Sequence, residues 1–241
     1  MTILAPVAPT GTDRYRLVVA TDEGDVRAAQ RLRHRVFAEE LGAVLKTDLP
    51  GHDIDEFDAH CDHLIIQENS TGEVVGTYRM LPPGRVDRLY TDGEFNLAPL
   101  AALRDGLVET GRSCVHPEHR TGAVINLMWA GIVRYLHLRD QRWLIGCASV
   151  PLTQAAAVWH RFTARELAPA ALRVRPHRPW PVEPAPAHPA KPPALLRGYL
   201  RLGAWICGPP AHDPDFQVAD LPVLMSMDRM DARYLRHFLQ R

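Results

Sequence analysis

A strand that carries a carboxylate and a guanidinium, and then runs into a turn and a helix, constrains this chain most. The strand is the apolar run Gly106–Val115, and its two charged side chains are Glu109 and Arg112. A helix with an amphipathic pattern follows at Val124–Leu138. Because side chains alternate along a strand, Glu109 and Arg112 point to opposite faces unless a bulge lies between them. Gly111, between the two, suggests such a bulge.

The rest of the chain alternates between predicted strands and helices. Before the central strand we predict a strand, a helix with Asp22 or Asp25 as N-cap, an acidic loop and a hairpin with a turn at Asn69–Gly72. Those elements are Tyr15–Ala20, Asp25–Leu41, Thr47–His60, His63–Gln67 and Val74–Leu81. After the central helix come a strand at Trp143–Ser149, helices at Thr153–Leu167 and Ala194–Leu202, strands at Ala204–Cys207 and Val223–Met227, and a terminal helix at Asp228–Gln240 capped by Asp228. This order predicts a mixed α/β sheet.

Length and composition fit one soluble globular domain. The chain has 241 residues, 46% of them hydrophobic and 23% charged, which is enough to bury a substantial core. No apolar run approaches the roughly 18 residues of a membrane span, and the first residues lack a secretory signal pattern. We expect a flexible tail at 1–12 and a single domain at 13–241. Nine of the 21 prolines fall within 168–193, which predicts a surface excursion, since proline supports neither helix nor ladder.

Charge is distributed unevenly although the net charge is zero. Glu39–Asp62 holds eight acids and one base, whereas Arg161–Gly203 holds eight bases and two acids. The acidic stretch suits a cationic small molecule, and the basic stretch suits an acidic protein or an anionic membrane. The alternative is that both are solvated faces. The four cysteines are widely spaced in apolar surroundings, so we expect free thiols in a reducing cytosol.

The segments Cys61–Leu81, Val108–Arg120 and Leu195–Ala204 together resemble acyltransferases of the GNAT superfamily, and within it the ornithine-lipid N-acyltransferases. The resemblance covers nearly the whole chain. It implies the GNAT fold, in which a mixed, V-split β-sheet is flanked by helices. It also implies a cytoplasmic enzyme that moves a 3-hydroxyacyl chain from acyl carrier protein to the α-amine of ornithine. The basic, leucine-rich segment Leu195–Leu202 could lie on an anionic membrane at its inner face, or could equally be a core helix.

Acyl transfer to an amine needs a group that takes a proton from the amine. An α-amine has an unperturbed pKa of roughly 8, so one carboxylate can accept that proton at modest cost. Glu109 is the candidate base, because it lies on the strand that lines the thioester in the family resembled. Arg112 is predicted to organise the site beside it. The alternative is that Glu109 forms a structural ion pair with Arg112 or Arg120.

A second resemblance, to acyl-homoserine-lactone synthases, suggests the acceptor side of the site. The shared positions are Arg33, Phe37, Asp55, Asp58, Arg79, Glu109 and Arg112. The Trp that those enzymes carry after Leu-Gly is replaced by Ala43, which argues against a homoserine-lactone product. Asp55 and Asp58 could hold a cationic side chain while Arg79 grips a carboxylate. The alternative is a web of ion pairs with Arg33 and Arg79, or simple exposure.

The turn after the central strand is predicted to flank the donor through Val115, Arg120 and Gly122. Enzymes that use coenzyme A usually show Arg/Gln-x-x-Gly-x-Gly/Ala here, whereas Arg120 lies only two residues before Gly122 and Val124 replaces the small residue. This departure favours the acyl-phosphopantetheine arm of acyl carrier protein over acyl coenzyme A. We expect no permanently bound cofactor, no metal and no nucleic-acid partner.

Three rival functions remain open at this point. The first is acylation of another amine, and the second is acetylation from acetyl coenzyme A. The third is a non-catalytic module that binds acyl carrier protein. A covalent step through Cys114 with His116 is a further mechanistic alternative.

Overall fold

The computed structural model describes residues 10–188 and 190–239, and these fall into two compact units. The first unit comprises the chain through Pro82, Thr110–Asp140 and the end from Leu235. The second unit comprises Pro83–Glu109 and Gln141–Tyr234. Most of the tail predicted at 1–12 lies outside the described residues, and the prediction of a single domain stays a prediction.

The strands are β1 (Thr10–Gly11), β2 (Tyr15–Val19), β3 (Asp62–Glu68), β4 (Val74–Leu81), β5 (Phe95–Asn96), β6 (Leu107–Val115), β7 (Trp143–Pro151), β8 (Arg175–Pro176), β9 (Trp205–Ile206), β10 (Ala211–Asp213) and β11 (Val218–Ser226). The longest strands are β6, β7 and β11, with nine residues each. The α-helices are α1 (Glu23–His34), α2 (Thr91–Glu94), α3 (Gly122–Leu138), α4 (Ala155–Trp159), α5 (Ala194–Arg201) and α6 (Ala232–Leu239). Of the helices described, none is both long and apolar enough to cross a membrane.

In the first unit the strand order is β1-β2-β3-β4-β6. Helix α1 begins at the N-cap Asp22, whose carboxylate accepts from the Asp25 amide at 2.9 Å. A π-helical turn, Arg35–Glu40, continues it, and Gly42 with φ 75° ends the segment. Helix α3 buries a continuous apolar face that includes Leu127, Ile132 and Leu136. The predicted first strand, hairpin and central helix are therefore all present.

In the second unit β7 pairs antiparallel with β11 along nine residues, and β10 and β9 also pair with β11. The start of β6 pairs in parallel with β7, over Leu107–Glu109 and Trp143–Ile145. The first three residues of β6 therefore belong to the second unit, and the rest of the strand belongs to the first. One parallel pairing among antiparallel ones confirms the predicted mixed sheet. Arg112 has φ 54°, so the predicted irregularity within β6 is present.

Three sequence predictions in the second half are wrong in extent. The helix predicted at Thr153–Leu167 is a 3-10 turn followed by α4, which ends at Trp159. The Thr163 amide and hydroxyl donate to Glu166 at 2.9 and 3.1 Å, and the backbone around Leu167 bonds to Ile206 instead of continuing a helix. The strand predicted at Val223–Met227 begins five residues earlier, at Val218.

The third correction concerns the terminal helix. It begins at Ala232 and not at Asp228, because Met227–Arg229 forms a separate 3-10 turn. The Asp231 carboxylate accepts from the Arg233 amide at 2.8 Å, so Asp231 takes the capping role predicted for Asp228. Gln240, the predicted last residue, lies outside the described residues. The proline-rich segment contributes one two-residue ladder, in which Arg175–Pro176 pairs with β5.

Candidate active site

The first unit contains a ring of six charged side chains in which three arginines alternate with three aspartates. The shortest nitrogen–oxygen distances around it are Arg33–Asp53 2.9 Å, Asp53–Arg112 3.1 Å, Arg112–Asp55 3.2 Å, Asp55–Arg79 2.5 Å, Arg79–Asp58 3.3 Å and Asp58–Arg33 2.8 Å. Each member contacts two of opposite sign, so the ring closes and carries no net charge. We call it the Arg–Asp ring.

Burial makes the Arg–Asp ring a tightly coupled set of charges. The Arg33 side chain is 0% exposed, whereas the side chains of Asp55 and Arg112 are 19% and 12% exposed. Burial alone would raise the pKa of Asp55, but Arg79 and Arg112 hold that pKa below its ordinary value. Burial opposes the charge of Arg79 as well, and Asp55 raises its pKa in spite of it. Asp55 and Arg79 therefore each favour the charged form of the other.

The Arg–Asp ring brings together five of the residues predicted for the substrate and catalytic sites. Asp55 and Asp58 form the web of ion pairs with Arg33 and Arg79 that the sequence offered as an alternative to acceptor binding. Since the ring is balanced, it holds no surplus carboxylate for another ammonium. Phe37, the remaining predicted substrate residue, is buried on the π-helical turn after α1. Roles in substrate binding for these residues stay predictions.

Glu109 lies in the second unit, where a backbone turn fixes its carboxylate. Its Oε2 accepts from the Tyr90 amide at 2.9 Å. Its Oε1 accepts from the Thr91 amide at 2.7 Å and from the Thr91 hydroxyl at 2.6 Å. The side chain is 5% exposed and sits where the β6–β7 ladder ends. These donors fix the position and orientation of the carboxylate, as a group that accepts a proton from a bound amine requires.

A cluster of buried carboxylates lies close to Glu109, and sequence analysis missed it. The nearest ligand atoms of Glu94, Cys147 and Asp220 all lie within 4.8 Å of one another. Asp213 is also buried, and its Oδ2 accepts from the Tyr90 hydroxyl at 3.2 Å. The Cys147 thiol donates to the Thr91 hydroxyl at 3.8 Å, which links the cluster to the residue that holds Glu109. We call Glu94, Asp213 and Asp220 the acidic cluster.

Glu94 is the most perturbed member of the acidic cluster. Burial, and then the charges of Asp220 and Asp213, raise its pKa to about 9. Both of its carboxylate oxygens are shielded from solvent, and contacts with Cys147 and Tyr90 offset the rise in its pKa only in part. A carboxylate in this position is protonated at neutral pH, and a cation placed beside it would favour its ionised form. The signal in the sequence was Asp220, a single acid within the apolar strand β11.

The raised pKa of Glu94 predicts a pH-dependent stability. The folded state keeps this proton up to about pH 9, whereas an unfolded glutamate loses it near 4.5. Between those values the folded state binds more protons than the unfolded state, so stability falls as pH rises. We expect Glu94→Gln to melt about 4 °C or more above the wild type at pH 8, with the gap closing toward pH 5. Differential scanning calorimetry from pH 5 to 8.5 measures this.

The control for that measurement is Glu56→Gln, which removes an exposed carboxylate. This variant should track the wild type at every pH. Equal melting temperatures for Glu94→Gln and the wild type across the whole range would show that Glu94 is not held protonated.

The turn predicted to flank the donor is well defined. The Val115 carbonyl accepts from Arg120 Nε at 3.2 Å, and Arg120 forms a bidentate pair with Glu40 at 2.7 and 2.6 Å. Gly122 opens α3, whose N-cap Thr121 makes no side-chain capping bond, so the first amides of the helix carry no such cap. Cys114 is buried, and burial raises the pKa of its thiol to about 12, which disfavours a thiolate nucleophile there.

Two groups of described side chains have spacing that could hold a metal ion. One is Glu94, Cys147 and Asp220, and the other is His116, Glu118 and His119. In the second group His116 Nδ1 accepts from the Glu118 amide at 3.3 Å, and His119 Nδ1 bonds the Tyr15 hydroxyl at 3.0 Å. The first contact is local to the turn, whereas the second joins the turn to β2. The four cysteines are free thiols.

Comparison with known proteins identifies the family. The chain is 33% identical to an L-ornithine N(alpha)-acyltransferase of Rhodobacter capsulatus over 250 residues, covering 94% of this chain and 95% of the relative. It belongs to the L-ornithine Nα-acyltransferase family. A second member of this family, from Agrobacterium fabrum, is 34% identical and covers 95% of this chain and 85% of the relative. Residues 32–130 match the acetyltransferase (GNAT) domain.

The structural comparison agrees with the fold of this family. A CoA-dependent acyl-homoserine lactone synthase, BjaI, solved with SAM and isopentyl-CoA, superposes with a TM-score of 0.54 at 17% identity. The match covers 91% of this chain and 82% of BjaI. At that identity the likeness concerns the fold alone. The predictions of a GNAT fold and of an acyltransferase of the ornithine family are therefore confirmed.

Proposed function

We propose that this L-ornithine Nα-acyltransferase family member moves a long 3-hydroxyacyl chain from acyl carrier protein to the α-amine of ornithine. The observation that carries the proposal is Glu109, a buried carboxylate oriented by three hydrogen bonds from the Tyr90–Thr91 turn. Its relatives are named for ornithine acylation, which supports the acceptor. The product carries an acyl chain, so we propose a cytoplasmic enzyme that hands it over at the inner face of the membrane.

Glu109 would act as the general base. The α-ammonium has an unperturbed pKa of roughly 8, so its proton passes to the carboxylate, directly or through one water. The free amine then attacks the thioester carbonyl and forms the C–N bond. The tetrahedral intermediate collapses with breakage of the C–S bond. The nitrogen gives up its second proton, which passes to the departing pantetheine sulfur, and the thiol leaves while Glu109 returns its own proton to solvent. The fixed position of Glu109 lowers the cost of aligning base and nucleophile.

The proposal that the donor is acyl carrier protein is based on the turn between β6 and α3. The departure of Arg120 and Val124 from the coenzyme A pattern leaves no dedicated pyrophosphate loop. A pantetheine arm needs only one phosphodiester to be bound, and the amides at the start of α3 suit a single anion. That Val115, Arg120 and Gly122 flank this arm stays a prediction. We propose no permanently bound cofactor.

The acidic cluster supports a cationic acceptor. The Arg–Asp ring is internally balanced, whereas burial and the charges of Asp220 and Asp213 raise the pKa of Glu94, whose carboxylate oxygens are both shielded from solvent. We propose that the side-chain ammonium of ornithine lies against Glu94 while its α-amine meets Glu109. Thr91 bonds Glu109, and Cys147 links Thr91 to the cluster, so both acids border the same turn. Binding of the acceptor's carboxylate by Arg79 stays a prediction.

Acceptor exchange tests this assignment. With 3-hydroxyhexadecanoyl acyl carrier protein as donor, we expect kcat/KM for ornithine to exceed that for 2-aminopentanoate about 100-fold or more, because the latter lacks only the side-chain amine. The kcat/KM values for lysine and glycine should lie between those for ornithine and 2-aminopentanoate, or below both. In Glu94→Gln the preference for ornithine should shrink while turnover of 2-aminopentanoate is kept. Equal use of ornithine and 2-aminopentanoate by the wild type would contradict a cation site.

A further inference from the structure

The second unit carries a concave basic surface that the reaction chemistry does not use. It encloses about 490 Å³ and is lined by Arg161, Arg165, Arg201 and Arg229 together with Glu166 and Asp231. We call it the arginine groove. Its walls come from the segment after α4, the end of α5 and the turn before α6. Four guanidinium groups face two carboxylates, so the groove is positively charged.

The floor of the arginine groove is fixed by close packing. Gly203 has φ 88°, and a Cβ there would lie 3.0 Å from the Arg229 carbonyl, so the two backbones approach too closely for a side chain. Arg229 donates from Nε to the Gly203 carbonyl at 3.1 Å, and its guanidinium lies 3.8 Å from the centre of the Trp205 ring. The groove is therefore a built surface and not a chance gap between mobile side chains.

The arginines on the rim of the groove are available to a partner. Arg161, Arg165 and Arg201 are exposed, and none forms an ion pair or side-chain hydrogen bond with any residue that the structure describes. The acids are engaged elsewhere: Glu166 accepts from the Thr163 amide and hydroxyl, and Asp231 pairs with Arg233 at 3.1 Å. Several unpaired guanidinium groups on one concave face suit several carboxylates, which they bind bidentately.

An acidic protein fits the arginine groove better than a membrane surface does. Binding to a bilayer needs exposed apolar side chains beside the charges. Of the described residues, the exposed large apolar side chains are Leu41, Val44, Leu49, Ile125, Leu138 and Tyr234, and none lines the groove. In the segment Leu195–Leu202, which the sequence had offered as a membrane face, Leu196, Tyr199 and Leu202 are buried, and Leu195 and the groove-lining Leu200 are half-buried. A core helix with outward arginines is what the structure describes.

We propose that the arginine groove docks the acidic face of the carrier protein that delivers the acyl donor. This inference rests on the proposed function, since it needs a protein-bound donor. Complementary charge would raise the rate of encounter and orient the carrier so that its pantetheine arm enters the enzyme. The groove is separate in residues from Glu109 and the acidic cluster, so its effect falls on donor capture and not on the chemical step.

Charge reversal in the arginine groove tests the proposal. The variant carries Arg161→Glu, Arg165→Glu and Arg201→Glu. Two donors are compared, 3-hydroxyhexadecanoyl acyl carrier protein and 3-hydroxyhexadecanoyl pantetheine, which has no protein. We expect KM for the carrier-bound donor to rise about tenfold or more, with kcat nearly unchanged, and KM for the pantetheine donor to stay at the wild-type value. Added salt should raise the wild-type KM for the carrier donor only.

The matched control is Arg31→Glu, which makes the same change at an exposed arginine outside the groove. It should leave KM for both donors unchanged. If the triple variant loses activity with the pantetheine donor as well, the three single variants are measured, and each should raise KM for the carrier donor. An unchanged KM for the carrier donor in active groove variants would overturn the proposal.

Two further outcomes distinguish the docking proposal from the proposed donor and from membrane binding. A wild type that works with acyl coenzyme A but not with the carrier-bound donor refutes the donor half of the proposed function, and the docking proposal with it. In the second outcome, the wild type and the groove variants use the carrier-bound donor equally well, but the variants no longer co-sediment with phosphatidylglycerol vesicles. This result would overturn docking and would identify the groove as a membrane-binding surface. Phosphatidylcholine vesicles serve as the uncharged comparison.

Discussion

Replacing Glu109 with glutamine is expected to lower kcat/KM for ornithine acylation by about 10²- to 10⁴-fold, the usual contribution of a positioned general base. Glutamine keeps the size of the side chain and one accepting oxygen for the Tyr90–Thr91 turn, but it cannot accept the proton of the α-ammonium. Steady-state kinetics with 3-hydroxyhexadecanoyl acyl carrier protein and ornithine give the ratio. Carrier binding should be retained.

The pH profile distinguishes a base from a structural anchor. Above the amine's pKa of roughly 8 the acceptor is already uncharged, so the defect of Glu109→Gln should narrow as pH rises from 7 to 9.5. Thr91→Val removes one hydrogen bond to Glu109 while leaving the carboxylate in place, and it should cost much less activity. A Glu109→Gln variant as active as the wild type would rule out this base. If the wild type and the Glu109→Gln variant both fold and bind the carrier protein without any activity, the protein is a non-catalytic binding module.

Replacing Arg33 with methionine should destabilise the protein by about 3–5 kcal/mol, because it leaves buried charges without their partner. Arg33 is fully buried and contacts both Asp53 and Asp58 in the Arg–Asp ring. Methionine preserves most of the apolar packing of the arginine side chain, so the loss of stability measures the effect of removing the charge. Urea unfolding followed by circular dichroism gives the difference in free energy.

The matched control lies on the same helix. Arg27 pairs with Glu23 at 3.2 Å on the exposed side of α1, and Arg27→Met should change stability by no more than about 0.5 kcal/mol. Combining Arg33→Met with Asp58→Asn should cost less than the sum of the two single changes, because the second removes a charge stranded by the first. An Arg33→Met variant within about 1 kcal/mol of the wild type would show that the ring is not coupled in this way.

Elements with a strong local pattern were predictable from the sequence, and elements set by tertiary pairing were not. The hairpin of β3 and β4 and the long helix α3 follow from alternation and from helical spacing. The helix predicted at Thr153–Leu167 failed because Leu167 pairs with Ile206, a residue distant in sequence that no local pattern contains. Strands such as β10, with three residues, fall below the length at which alternation can be read.

The same division holds for the site. Glu109 and Arg112 stood out because charged residues in an apolar strand are costly unless they have a role. Ion pairs of the acidic loop with Arg33 and Arg79 were foreseen only as an open alternative, and the part of Asp53 and Arg112 in the ring was not foreseen, since ring closure depends on where four separate segments meet. The acidic cluster was missed because Glu94 lies far in sequence from Asp213 and Asp220, and the three become significant only when burial removes water between them.

The most direct test of the central claim is a comparison of donors with one acceptor. The purified protein is incubated with ornithine and either 3-hydroxyhexadecanoyl acyl carrier protein or acetyl coenzyme A, and thiol release and product mass are followed. The account predicts ornithine-dependent thiol release from the carrier-bound donor alone, with a product of the mass of Nα-3-hydroxyhexadecanoyl-ornithine. Acetylornithine formed from acetyl coenzyme A, with no product from the carrier-bound donor, would contradict it.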